Sequence, residues 1–206
     1  MKIARPLPGV LHLQFTTQAD LCRSFLRMQE FYESPYPEIR GKYFTLAEYK
    51  KLYTRDHGKP FSYYTDWHGF NIPGKALREF GRVFKGKLTT PEQLILSLKD
   101  VRYLIGTHDD CAEALDHELA HARYHLDLRY RTRAYELVFL FGTSGLKEYE
   151  ALKHWLLDSG YTSEVIIDEV NAYMATNTLD DFRENFSPIT ADMLYRLAGP
   201  FRELYK

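Results

Sequence analysis

The sequence predicts a predominantly helical α+β fold, and three observations carry that expectation. Apolar residues recur at helical spacing behind capping side chains along most of the chain. One short stretch at residues 101–105 alternates as a strand does. The segment that follows it is rich in Ala and Leu, without Pro or Gly. At 206 residues, 45% of them hydrophobic and 27% charged, the chain is long enough for a full core. No repeat, low-complexity tract or Ser/Gly linker interrupts it, so one domain over 1–206 is expected. Its parts are a helical N-terminal portion with an aromatic loop (1–100), a core holding the candidate site (101–176) and a C-terminal helical tail (177–206).

The first helix begins behind Thr17, where Leu21, Phe25, Met28 and Phe31 or Tyr32 recur, and ends before Pro35. Thr45 followed by Glu48 has the capping-box spacing and opens a second helix carrying Leu46, Tyr49 and Leu52 or Tyr53, which stops near Gly58. Between Pro60 and Pro73 the run is aromatic and turn-rich, reading as a short strand plus an exposed loop. Trp67, His68 and Asn71 there either line a cleft or belong to a loop covering an apolar face, and aromatic side chains favour packing. Thr90-Pro91-Glu92 starts a helix that Leu94, Ile95 and Leu98 carry to about Lys99. Val101, Tyr103 and Ile105 then alternate with Arg102 and Leu104 as a half-buried strand running to Gly106.

Charge and length argue against several classes of partner. The net charge of −1 gives no electrostatic reason to expect nucleic acid or an anionic membrane. No run approaches the roughly 18 to 20 apolar residues that cross a bilayer. The basic start leads into Leu11-His12-Leu13-Gln14 rather than an apolar stretch, so no secretion signal is expected. Cys22 and Cys111 cannot form a disulfide framework and suit a reducing compartment. A soluble, cytoplasmic protein is the expectation; composition leaves its oligomeric state open.

Residues 110–125 are expected to be helical. Positions four apart sit one turn above each other, so His117 and His121 can aim both imidazoles at one point, as a zinc ion requires. Glu118 lies beside that point, where a carboxylate can take a proton from water that the metal has made acidic. His-Glu-x-x-His is therefore a mechanism as well as a spacing. Chance supplies such a match in about two per cent of chains of this composition, so context has to carry the rest. Leu119, Ala120 and Ala122 suit tight packing, whereas Arg123 puts a charge where an apolar residue is usual. The competing reading is a helix whose two histidines bind no metal.

Catalytic zinc keeps three protein ligands and an open position. His125 extends the same face, but one turn further on it lies too far from an ion held by His117 and His121. Asp127 lies beyond it, and continued helix would carry it away. Glu169 projects from a second helix, residues 163–174, whose Val165, Ile166, Val170 and Met174 form an apolar face that has to pack. Asp168 beside it is the alternative.

The pair His117-Glu118-Leu119-Ala120-His121 and Asp168-Glu169-Val170-Asn171-Ala172-Tyr173 resembles the gluzincin zinc metallopeptidases, in which a His-Glu-x-x-His helix is followed by a helix donating a Glu ligand. The Glu-x-x-Ala segment with a following aromatic looks like the compact minigluzincins. The resemblance covers roughly residues 101–176. It implies a zincin-like domain with a small sheet next to the motif helix, Zn2+ held by His117, His121 and Glu169, and Glu118 as general base in hydrolysis of a peptide or protein substrate. Where the thermolysin-like branch orients its first His with an Asp four residues after the Glu ligand, this chain has Tyr173. Tyr173 and Tyr124 are candidate donors to the transition-state oxyanion.

Two further readings compete. A catalytically silent zincin scaffold, acting as a binding or regulatory module, is motivated by Arg123 and the absent Asp. Two histidines and a carboxylate also resemble a facial triad for iron, although Glu118 beside the metal favours hydrolysis. Elsewhere, Arg129, Arg131 and Arg133 read as a solvated face ahead of the apolar residues 137–141 rather than a grip on a substrate carboxylate. Residues 142–145 read as a turn, and residues 146–158 as an amphipathic helix through Leu152, Trp155 and Leu156, ended at Gly160. That hairpin folds Glu169 back toward His117. Residues 191–197 form a final helix, expected to cover the core rather than plug the cleft as an inhibitory tail.

Overall fold

In the computed structural model the N-terminal segment ahead of the first helix is a hairpin, which the residue pattern before Thr17 does not announce. Lys2–Ala4 (β1) pairs antiparallel with Val10–Phe15 (β2), Ala4 opposite His12. Every residue of β2 is buried except Gln14, which is half-buried. A strand covered on both faces lacks the alternation by which sequence announces a strand. The structure describes residues 1–58, 60–111, 113–144 and 146–206, the side chain of His57 excepted.

Thr17 caps Gln18–Glu33 (α1), its hydroxyl accepting from the Asp20 amide at 3.1 Å. Thr45 and Glu48 close the expected capping box on Leu46–His57 (α2), and Gly58 ends that helix in the left-handed region. The aromatic run supplies a single 3-10 turn, Tyr63–Thr65, and the edge strand Gly69–Pro73 (β3). Gly74–Val83 (α3) follows without a capping side chain, and so without a start signal in the sequence. Thr89, not Thr90, caps Thr90–Ser97 (α4), with Glu92 completing the box. Tyr103–His108 (β4) is buried at all positions rather than half-buried, because it lies inside the sheet order β1-β2-β4-β3. It runs parallel to β2, with Phe15 opposite His108, and antiparallel to β3, with Gly69 opposite Thr107. The chain is thus mainly helical with one small mixed sheet, consistent with the α+β class.

The chain divides into two compact units, Met1–Leu115 and Asp116–Lys206, each with its own core. In the first, α1 lies close on the sheet, with the Phe25 ring stacked on Phe70 at 5.4 Å. Gly106 makes that approach possible: a Cβ there would stand 2.6 Å from the Phe25 ring and 2.7 Å from Leu21. Gly106→Ala is expected to cost about 1–3 kcal/mol through overpacking. Urea unfolding checks this, and an unchanged midpoint would contradict the close packing. Glu92 is buried, takes the Arg27 Nε–H at 2.8 Å and the Thr89 amide at 2.7 Å, and so joins the α4 cap to α1.

Glu113–Leu126 (α5) carries the motif. Ala112, near its expected start, lies outside the described residues. The helix stops before Asp127, whose carboxylate accepts from the amides of Arg129 (2.8 Å) and Tyr130 (3.2 Å) to cap Leu128–Thr143 (α6). Gly142 and Thr143, expected in a turn, are still helical, and Gly145 lies outside the described residues. Lys147–Asp158 (α7), Ile166–Thr176 (α8), Leu179–Asn185 (α9), Pro188–Leu197 (α10) and Gly199–Tyr205 (α11) complete the second unit. Its core holds Ala120, Val138, Leu156, Val170 and Phe182. The Tyr130 hydroxyl donates to Asn171 Oδ1 at 3.1 Å, tying α6 to α8. Phe201 of α11 is buried 5.5 Å from the Phe141 ring, so the tail covers the core as expected. No described helix is long and apolar enough to cross a membrane.

Candidate metal centre

Two helices of the second unit build the site. Ala120 and Ala122 are fully buried and seat α5 in the core, which leaves His117 and His121 one turn apart on an adjoining face. On α8, Ile166, Val170 and Met174 do the same for Glu169. The side chains converge: His117 Nε2 and His121 Nε2 are 3.1 Å apart, and Glu169 Oε2 lies 3.7 Å from the first and 3.6 Å from the second. Ligands held about 2.0–2.1 Å from a tetrahedral ion are separated by about 3.3 Å, so the triangle has the dimensions of three zinc ligands. Glu169 Oε2 is buried and has no hydrogen-bond partner. Its distances to the imidazole nitrogens exceed hydrogen-bond reach, and an orphaned buried carboxylate oxygen is costly unless a cation meets it. Two imidazoles and a carboxylate are also the donor chemistry zinc accepts. Among the described residues this is one group of three whose ligand atoms all lie within 4.8 Å of one another.

Asp168, the alternative ligand, stands elsewhere. Its Oδ1 lies 3.0 Å from Nδ1 of His121, the ring nitrogen turned away from the triangle. A carboxylate beside that nitrogen favours the tautomer with its proton on Nδ1, which leaves Nε2 to ligate, although the contact lacks the geometry of a full hydrogen bond. Neighbouring positions on a helix point about 100° apart, so Asp168 and Glu169 reach opposite sides of one ring. Asp168→Ala is expected to weaken zinc binding about 10–100-fold. Chelator competition measures it, and an unchanged affinity would deny Asp168 this orienting role.

No family model, curated protein or solved structure matches this chain. The site therefore rests on its own geometry and electrostatics. Burial pulls the pKa of His121 down, but the carboxylates of Asp168, Glu169 and Glu118 outweigh it and hold the group well above its ordinary value. Burial pushes Glu169 up, yet His121 and His117 overcome this and leave it lowered. In the metal-free protein these influences favour the protonated imidazole at His121 and the ionised carboxylate at Glu169. Glu118 is buried beside them, and its charge is felt at His121, Tyr161 and Tyr173.

Two of the remaining candidates, His125 and Asp127, take other places. His125 is exposed, outside the ligand triangle, and Asp127 caps α6. Tyr124 is half-buried; burial raises its pKa, and the nearby charges it feels are Asp168 and Arg131. Tyr173 packs its ring 4.7 Å from His117 and has Trp155 5.2 Å away on it. Sequence reasoning misses Tyr161, whose hydroxyl is 3.3 Å from that of Tyr173. Burial raises the pKa of Tyr161 well above normal and pushes Tyr173 up to about 12, so both remain hydrogen-bond donors. One tyrosine among 16, next to Gly160, carries no periodic signal that would single it out.

Arg123, the unexpected charge, donates to the Tyr205 carbonyl and lies 4.8 Å over its ring, while the Tyr205 hydroxyl donates to the Asp116 carbonyl at 3.2 Å. It fastens α11 to the motif helix. In the first unit, Trp67 is exposed, His68 Nδ1 lies 3.0 Å from His108 Nε2, and Asn71 accepts from the Tyr103 hydroxyl at 2.6 Å. His68 and Asn71 thus have partners on the neighbouring strand.

Proposed function

We propose that this chain is a zinc-dependent peptidase of the gluzincin type, in which His117, His121 and Glu169 hold the ion and Glu118 is the general base. The observation that carries this reading is the triangle of two imidazole nitrogens and one orphaned carboxylate oxygen, 3.1, 3.6 and 3.7 Å on its sides. A zinc ion bound there would polarise the scissile carbonyl and lower the pKa of water. Glu118 accepts the proton that water sheds on attack and returns it to the amine nitrogen as the C–N bond breaks. Asp168 holds His121 in the tautomer that presents Nε2. The Tyr161 and Tyr173 hydroxyls are the donors available to charge developing on the carbonyl oxygen.

The silent-scaffold reading drew on Arg123 and on the missing Asp after the Glu ligand. Arg123 has a structural use at Tyr205, apart from the site, and Asp168 supplies an outer carboxylate to the second histidine, His121, whereas the thermolysin-like Asp serves the first. The test is a paired assay of metal content and peptide cleavage in wild type and Glu118→Gln: zinc in both and cleavage only in wild type supports the proposal.

A further inference from the structure

Independently of the metal site, α6 turns an unusual face to solvent. Its inward side is the expected one, with Tyr130, Ala134, Val138 and Phe141 buried. On the outward side, Leu128 is 66%, Tyr135 50% and Phe139 61% exposed, and the Tyr135 and Phe139 rings stack 6.5 Å apart at 11°. With Thr132 between them, these residues follow the 4-3-4 spacing of a helix-pairing seam. The seam runs about 16 Å at 1.5 Å per residue. Scattered exposed apolar residues need no explanation; aligned along one helix face, as these three are around Thr132, they mark an interaction surface.

We propose that this face is a self-association surface, on which a second copy of the chain docks its own α6 antiparallel. The argument is complementarity of size and charge. Antiparallel pairing about the middle of the stripe sets Leu128 against Phe139 and the small Thr132 against Tyr135, whereas parallel pairing sets Phe139 on Phe139 and Tyr135 on Tyr135. Arg129 and Glu136 occupy the same flank of the seam, seven residues apart, and both are exposed. Two-fold symmetry brings each within about 3 Å, measured along the helix axis, of the other on the facing copy, forming two Arg129–Glu136 pairs between copies. Glu136 pairs with Arg133 of its own helix, at 2.9 Å and in solvent, a contact too weak to forbid this. A single helix pair lies at the low end of specific interfaces, so dimerisation in the micromolar range is expected.

Sedimentation equilibrium of the full chain over that range tests the proposal. Wild type should shift from monomer to twice the monomer mass. Phe139→Asp should weaken dimerisation roughly tenfold or more, with an unchanged circular-dichroism melt because the residue is exposed. Glu136→Arg and Arg129→Glu should each weaken it, and the double swap R129E/E136R should restore it. A chain that stays monomeric, or a dimer indifferent to Phe139→Asp, would overturn the surface. Rescue of Glu136→Arg by Arg131→Glu instead of Arg129→Glu would overturn the antiparallel arrangement.

Discussion

Glu169→Gln is expected to remove bound zinc from the protein while leaving it folded. The neutral amide offers the ion a weaker oxygen and no charge, so the loss should exceed the about 10–100-fold cost of deleting an outer partner. The same substitution has a signature in the metal-free protein. His121 is held above its ordinary pKa, so the stability it contributes is present at low pH and lost as pH rises through that raised value. Glu169 is lowered, so its contribution is present at higher pH and lost as pH falls through the depressed value. The ion pair therefore stabilises the metal-free fold between those two limits, and Glu169→Gln should flatten that window. Zinc must displace the His121 proton, so affinity in wild type should fall as pH is lowered. Zinc titrations and thermal melts across pH check both halves. Zinc affinity that is unchanged in Glu169→Gln would remove Glu169 from the ligand set.

Glu118→Gln is expected to separate binding from chemistry. The residue stands beside the ligand triangle without belonging to it, so zinc should remain. Gln cannot accept the proton of attacking water, and loss of a positioned general base costs about 10²–10⁴ in rate. The fall should appear in kcat with KM little changed, since the carboxylate acts only as the transition state forms. A silent scaffold predicts no turnover in wild type and no difference in the variant. Steady-state cleavage of a mixed peptide library by both proteins decides between them.

What the sequence made legible is local. Two histidines and a glutamate within five residues of helix define their own geometry, and a Thr-x-x-Glu cap at Thr45 is complete within one turn. Glu169 needed more: an amphipathic helix that had to pack and a resemblance that said against what. Where contacts are distant or burial is two-sided, the signal fades. β2 was hidden because both its faces are covered, and α3 because nothing caps it. Arg123 is out of place by pattern alone, because its partner Tyr205 lies 82 residues away, beyond any local signal. Asp168 was legible as an acid next to Glu169, but which nitrogen of His121 it faces is set by how α8 packs on the motif helix.

The central claim is that three side chains form one zinc site. Its most direct test is the metal content of purified wild-type protein after dialysis, with Glu169→Gln alongside. The geometry predicts close to one zinc per chain in wild type and none retained in the variant. Wild-type protein that holds no stoichiometric zinc, even after exposure to the free ion, would contradict it.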